Sequence, residues 1–189
     1  MTDDPSRPTP EHIMRVEADA ELIHSADAVA QALDRMAREV TAELAEDNPL
    51  MLAVMIGGVV PFAELTLRLG FPLEMDYIHA TRYRDDVKGG ELHWRARPAK
   101  TLAGRHVVVV DDILDEGLTL AGILRYCRDQ GAASVRSAVL VDKRHDRKDG
   151  LPRADFTGLE APDRYVFGFG MDYRGYLRNA RGIYAVKGL

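Results

Sequence analysis

Val107–Gly122 reads VVVVDDILDEGLTLAG, and this run decides how the rest of the chain is arranged. Four consecutive valines suit a strand buried on both faces, as in the middle of a parallel sheet. Asp111 and Asp112 follow at the carboxyl end, where open α/β sheets place their ligands. A short turn comes next, through Ile113, Leu114, Asp115, Glu116 and Gly117. Beyond it Leu120, Ile123, Leu124 and Cys127 fall at helical spacing on one face, so a helix starts near Leu118 or Thr119. Strand, acidic edge, glycine turn and helix N-terminus together make an anion cradle beside a place for a diol or a metal. Free amides and the positive dipole end favour the anion. Gly117 permits a backbone that a side chain would obstruct, and the Thr119 hydroxyl adds a donor.

A strand ending in two acids is not specific alone. P-loop ATPases and receiver domains have one, and VVVVDD by itself reads better as a parallel strand whose acids cap a helix. The ATPase reading needs a G-x-x-x-x-G-K-[ST] loop, which this chain lacks. The ordered run from Val107 to Thr119 as a whole resembles the phosphoribosyl-pyrophosphate (PRPP) motif of type I phosphoribosyltransferases. The likeness is to the hypoxanthine-guanine branch above all, and it extends from about Leu50 to the C-terminus. It implies an α/β fold: a twisted, mostly parallel sheet flanked by helices, with a small hood from the N- and C-terminal segments. One domain is expected over residues 1–189, with a loose tail at 1–11, a mobile lid at 81–92 and a hood contribution from about 145–189.

Composition agrees with a soluble globular domain: 189 residues, 46% hydrophobic and 29% charged. A net charge of −5 gives no general attraction to nucleic acid or to an anionic membrane. An anionic substrate must therefore be held by local donors and by Mg²⁺. The single cysteine, Cys127, excludes an internal disulfide and lies on an apolar helix face, which makes it core filler. No run approaches eighteen apolar residues, and the first residues are acidic and Pro-rich; the expected location is the cytoplasm.

Ser25 is a good N-cap, and Val29, Leu33, Met36, Val40 and Leu44 mark the buried stripe of the helix it opens, which Asn48-Pro49 ends. Leu50 to Ile56 is a buried strand, followed by Gly57-Gly58 and a helix with Pro61 in its first turn. A glycine pair after a strand often only makes a turn; the resemblance makes it the pyrophosphate loop. There Ile56 replaces the lysine of many relatives. Leu73 to Ala80 is a third strand, leading into TRYRDDVKGGELHW. That segment reads as a solvated hairpin, or by resemblance as the lid, with Gly89 and Gly90 as hinges. Arg82 and Tyr83 stand where the family has Ser-Tyr, and Arg82 is expected to supply some of the charge missing at Ile56. Trp94 is expected to pack in the core or between subunits.

Ser134 to Asp142 gives a further strand, with Lys143 at its end and an exposed loop over Arg144 to Lys148. By resemblance Lys143 selects the purine. An ammonium only donates, so it pairs with the O6 acceptor of hypoxanthine, guanine or xanthine and rejects the amino group of adenine. Short strands are expected at 154–159, 165–167 and 183–186. GFGMDY is no dinucleotide fingerprint, because its third glycine position holds Tyr173. The resemblance instead assigns Tyr165 to stacking on the base and the Val166 backbone to the base edge. It puts Asp172 beside base and metal, and Arg178 on pyrophosphate.

The implied activity is purine salvage: ribose 5-phosphate moves from PRPP to a 6-oxopurine, and pyrophosphate leaves. Asp111 and Asp112 would take the ribose hydroxyls and, with Asp172, steady Mg²⁺, whose preferred ligands are hard oxygens. Asp115 would take or share the N7 proton. A free aspartate, with a pKa of about 3.9, is a poor base for this, so crowding by acidic neighbours is expected to raise it. Gly117, Leu118 and Thr119 would hold the 5′-phosphate. Glu116 replaces the Thr or Ser of many relatives, and is expected to point away or to cap the helix. The resemblance also implies a homodimer or homotetramer. The alternative is a non-catalytic regulator of the same fold that senses PRPP or nucleotide.

Overall fold

The computed structural model describes residues 7–81 and 92–188. Its centre is a six-stranded sheet in the order β4-β3-β2-β5-β6-β7. The strands are β2 (Leu50–Val54), β3 (Glu74–Thr81), β4 (His93–Ala96), β5 (His106–Leu114), β6 (Ser134–Arg144) and β7 (Phe156–Pro162). All neighbouring pairs are parallel except β3 with β4. The expected sheet is therefore the observed one, and the valines of β5 lie between β2 and β6 with less than 2% exposure.

Those valines serve two cores. Val108 and Val110 face α2 (Ala26–Leu44) and α3 (Val59–Thr66), against Leu33, Met36, Val40 and Leu65. Val107 and Val109 face α4 (Leu118–Asp129), against Leu120, Ile123, Leu124 and Cys127. Alternation along the strand sends successive side chains to opposite faces, so one apolar run supports helices on both. Ser25 caps α2 as expected, its Oγ accepting from the Ala28 amide at 3.2 Å. The helix ends at Leu44, four residues ahead of Asn48. Trp94 packs in the second core, its ring 4.6 Å from that of Tyr126.

The hood is a separate antiparallel sheet of β1 (Glu21–His24), β9 (Ile183–Ala185) and β8 (Val166–Phe167) in the order β1-β9-β8. Beside it lies α1 (Pro10–Asp19), and Ile13, Phe167, Tyr173, Leu177 and Val186 make its core. Two boundaries differ from expectation. A helix starts at Pro10, inside the stretch read as tail: the Thr9 hydroxyl caps it and Pro10 occupies the first position, where no amide is needed. The hood's C-terminal share begins after Pro162, because β7 pairs with β6 in the main sheet. The lid expected at 81–92, with Arg82, Tyr83, Gly89 and Gly90, lies outside the described residues apart from its ends.

Candidate active site

Strand β5 does not stop at its valines. It continues through Asp111 and Asp112 to Leu114, so both acids belong to the last part of the strand. Each carboxylate turns back on the next amide: Asp111 Oδ1 accepts from Asp112 N at 2.9 Å, and Asp112 Oδ1 from Ile113 N at 2.8 Å. Burial pushes the Asp111 carboxyl well above its ordinary range, and the neighbouring Asp112 charge adds to this. Burial raises Asp112 as well, against the pull of its hydrogen bonds and of Arg178.

Three chain segments meet at Asp112. A β-carbon on Gly57 would fall 1.9 Å from Asp112 Oδ2, and one on Gly170 would fall 2.2 Å from the Gly57 carbonyl oxygen. Glycine at 57 is thus what lets the turn after β2 approach the acid. Arg178 reaches in from the hood with Nη1 3.9 Å from Asp112 Oδ2 and Nη2 2.5 Å from Asp172 Oδ1. Nη1 also donates to the Gly170 carbonyl at 2.6 Å. Asp112, Asp172, Arg178 and the Gly57-Gly58 turn are therefore one cluster. The Ile56 side chain stands 57% exposed beside it, after a cis Met55–Ile56 peptide. The carboxylates of Asp111, Asp112 and Asp172 offer hard oxygen donors, which fits Mg²⁺. Among the described residues no three His, Cys, Asp or Glu are gathered closely enough to hold a metal ion by themselves, so such an ion would need oxygens from a ligand as well.

The second cluster is at Asp115. Lys143, at the end of β6, donates to Asp115 Oδ2 at 2.8 Å, and His145 Nε2 lies 2.6 Å from Oδ1. Burial alone would raise this carboxyl, but the hydrogen bonds and charges of Lys143 and His145 outweigh it and hold it below the ordinary value. The expected upward shift is thereby overturned: the nearest neighbours of Asp115 are cationic or donor groups, not acids. Asp115 stays 44% exposed while Lys143 is 13% exposed, so a solvent-accessible carboxylate rests on a buried support.

The loop expected to be exposed over Arg144 to Lys148 instead turns His145 and Lys148 inward, and with the residues up to Leu151 it folds over the turn between β5 and α4. Lys148 Nζ donates to the Leu114 carbonyl at 3.3 Å and pairs with the buried Asp142. His145 holds Asp115; the Gly150 amide donates to the Glu116 carbonyl at 3.0 Å, and Leu151 to that of Gly117 at 3.1 Å. Four consecutive residues, Leu114 to Gly117, are each gripped by this loop. Gly117 has φ +78°, and a β-carbon there would lie 2.3 Å from the Leu151 carbonyl oxygen. No side chain caps α4, so the amides of its first turn, at Leu118 and Thr119, are left for an anion. The Glu116 side chain is exposed and does not cap the helix.

On the hood, Tyr165 is 41% exposed and packs edge-on against Tyr173, with ring centroids 5.5 Å apart. The Val166 side chain is buried and pairs with Ala185, so only its main chain can meet a ligand. Arg147 forms a two-pronged pair with Asp163 at 2.6 and 2.8 Å, joining the loop to the segment that carries Tyr165.

The family model described as the phosphoribosyl transferase domain matches residues 19–174. The chain belongs to the phosphoribosyltransferase family. It is 31% identical over 164 residues to the hypoxanthine-guanine phosphoribosyltransferase of Bacillus subtilis (strain 168), covering 86% of this chain and 91% of the relative. It is also 31% identical to the hypoxanthine-guanine-xanthine phosphoribosyltransferase of Tritrichomonas foetus, over 84% of this chain and 86% of that one. A solved hypoxanthine-guanine-xanthine phosphoribosyltransferase superposes with a TM-score of 0.82 at 29% identity, over 90% of this chain and 99% of the other. A Staphylococcus aureus hypoxanthine phosphoribosyltransferase shares the fold at 22% identity, TM-score 0.85, over 95% and 97% of the two chains. Within this family, the turn at Gly117 and the two acid clusters lie at the carboxyl ends of the central strands, the edge at which such sheets bind ligands.

Proposed function

We propose that this phosphoribosyltransferase moves the ribose 5-phosphate of PRPP onto a ring nitrogen of a 6-oxopurine, hypoxanthine, guanine or xanthine, releasing pyrophosphate. The observation that carries the reading is the Lys143–Asp115 pair, a donor and an acceptor side by side at the edge of the anion turn. Lys143 can present an N–H to O6 of the base while Asp115 accepts from N7–H, a pattern that a 6-amino purine mismatches.

The first amides of α4 and the Thr119 hydroxyl would receive the 5′-phosphate, with Gly117 letting the backbone turn tightly enough to aim them. Asp111 and Asp112 would accept from the ribose 2′- and 3′-hydroxyls, which repays their desolvation. Gly57, Gly58 and Arg178 would meet pyrophosphate, with Ile56 contributing only its main chain. Arg82 and Tyr83, outside the described residues, are assigned to the same group. Tyr165 would stack on the base and hold it in line with C1. Mg²⁺ would be held by Asp111, Asp112 and Asp172 together with oxygens of PRPP and water; when bound it supplies charge that stabilises the departing pyrophosphate. The Asp115 carboxylate keeps the N7 proton within reach as positive charge develops on the sugar.

Two or four copies together would cover Met75 and Tyr77, which stand 54% and 46% exposed on β3, and sedimentation velocity tests that assembly. The buried thiol of Cys127 suits a reducing cytoplasm. The decisive experiment measures pyrophosphate release from PRPP and Mg²⁺ with hypoxanthine, guanine, xanthine and adenine in parallel. Turnover with at least one 6-oxopurine and none with adenine is expected. Release with adenine at the same rate, or with no base supplied, overturns the assignment.

A further inference from the structure

The two oxygens of Asp115 are held by different donors. Lys143 takes Oδ2 at 2.8 Å and His145 Nε2 takes Oδ1 at 2.6 Å. The other ring nitrogen of His145 is also engaged: the Arg147 amide approaches Nδ1 at 3.0 Å. An amide can only donate, so Nδ1 is the acceptor and the neutral ring carries its proton on Nε2, directed at Asp115. The ring is 3% exposed, against 44% for the carboxylate it holds, so a locked donor supports a group open to solvent.

Lys143 and His145 differ in what else is asked of them. If Lys143 donates to O6 of the base, its hold on Asp115 is shared at the moment when Asp115 must be aimed at N7. His145 has no such competing duty, because it is shut away behind the carboxylate. The loop that carries it is itself fixed, by Lys148 on Leu114 and Asp142, by Gly150 on Glu116 and by Leu151 on Gly117.

We propose that His145 is a positioning residue: by donating Nε2–H to Oδ1 it fixes the plane of the Asp115 carboxylate and leaves an Oδ2 lone pair facing the purine N7. The proposal rests on the phosphoribosyltransferase reading. Misplacing a proton acceptor by about 1 Å costs on the order of a hundredfold in rate, so His145→Ala lowers kcat by about ten- to a hundredfold while the KM for PRPP moves by less than about threefold. His145→Gln, which returns an N–H donor at about the same reach, recovers most of kcat.

The pH profile separates this from a loop that has merely come loose. Asp115 faces Lys143 and His145; Arg147 acts on it from farther off and also on Glu116, while Asp163 pairs with Arg147 and acts on Lys143 and His145. Removing one donor weakens the hold on the ionised carboxylate, so the acid limb of kcat/KM shifts to higher pH in His145→Ala and returns in His145→Gln. A spectroscopic arm does not depend on turnover. In ¹⁵N-histidine spectra of the whole protein, His145 should show a protonated Nε2 and a bare Nδ1, and Asp115→Asn should move the Nε2 signal. Wild-type kcat with an unmoved acid limb in His145→Ala overturns the proposal. So does an Nδ1-protonated ring, and that result stands even if the protein turns over no purine, which would count against the activity alone.

Discussion

A methyl group at residue 117 measures how closely the loop after β6 is fitted to the anion turn. Gly117 has φ +78°, and the added β-carbon of Gly117→Ala would lie 2.3 Å from the carbonyl oxygen and 2.6 Å from the amide nitrogen of Leu151. Both are main-chain atoms and cannot rotate out of the way. Gly104 provides the control: its φ is +72°, and a β-carbon there meets nothing within 4 Å. It precedes β5, at the end of the sheet away from the site. Gly104→Ala therefore carries only left-handed strain, about 1–2 kcal/mol. Gly117→Ala carries the same strain plus overpacking of about 1–3 kcal/mol, for a total of about 2–5 kcal/mol. The gain from stiffening the unfolded chain is common to both and cancels in the comparison. Urea unfolding of the two variants beside wild type gives the difference, and steady-state kinetics give its functional side. The expected result is a Gly117→Ala variant less stable than Gly104→Ala by about 1–3 kcal/mol, with its PRPP KM raised at least about tenfold because the α4 amides are no longer aimed. Equal destabilisation of the two, with an unchanged PRPP KM in Gly117→Ala, refutes the fit described here.

Other perturbations probe the two acid clusters. Gly57→Ala places a carbon 1.9 Å from Asp112 Oδ2, and since a side chain can swing aside, the expected loss is in PRPP binding rather than in stability; a wild-type KM contradicts it. Asp115→Asn should lower kcat by about 10²–10⁴ while PRPP still protects the protein in thermal melts. Because the Asp115 carboxyl is held below its ordinary value of 3.8, its ionised form stabilises the fold above that pH and loses this as pH falls through the lowered value. The Tm deficit of Asp115→Asn should accordingly be present at pH 7 and shrink in acid; a deficit independent of pH argues against the pairing. Asp111 has the opposite sign: its raised carboxyl makes the folded state bind a proton more tightly than the unfolded one, so its contribution worsens as pH rises from 3.8. Asp111→Asn should therefore raise Tm at pH 7 and abolish turnover, and a lowered Tm at that pH would be the contrary outcome.

Much of this was legible in the residues because the apolar periods were strong. The stripe of α2 from Val29 to Leu44 and the valines of β5 left little choice of element or of face. Cys127 went to the core because its helical spacing put it there. The helix α1 was obscured by Pro5, Pro8 and Pro10, although Thr9-Pro10-Glu11 is a serviceable start once the prolines are seen as ending at its first position. The sharper failure was the loop after β6. Arg144 to Lys148 is a polar run without period, and polarity alone suggests solvent. What holds His145 and Lys148 down is the end of β5, with Asp115 on the histidine and the Leu114 carbonyl on the lysine; both are remote in sequence and meet the loop only through the parallel pairing of β5 with β6, while Asp142, on β6 itself, completes the lysine's site. The charge state of Asp115 went astray for the same reason. Its sequence neighbours are acidic, but the fold replaces them with Lys143 and His145.

The pairing of Lys148 with Asp142 bears on how this chain can change. The two side chains are 13% and 6% exposed. Losing the lysine leaves Asp142 with only the exposed Arg144, 4.0 Å away, and losing the aspartate leaves the ammonium on the Leu114 carbonyl alone. Breaking such a buried pair costs up to roughly 3–5 kcal/mol, whereas replacing both with apolar groups of similar size is often tolerated. Change at positions 142 and 148 is therefore coupled: a chain that gives up the lysine and keeps the aspartate carries a folding penalty before any question of catalysis arises.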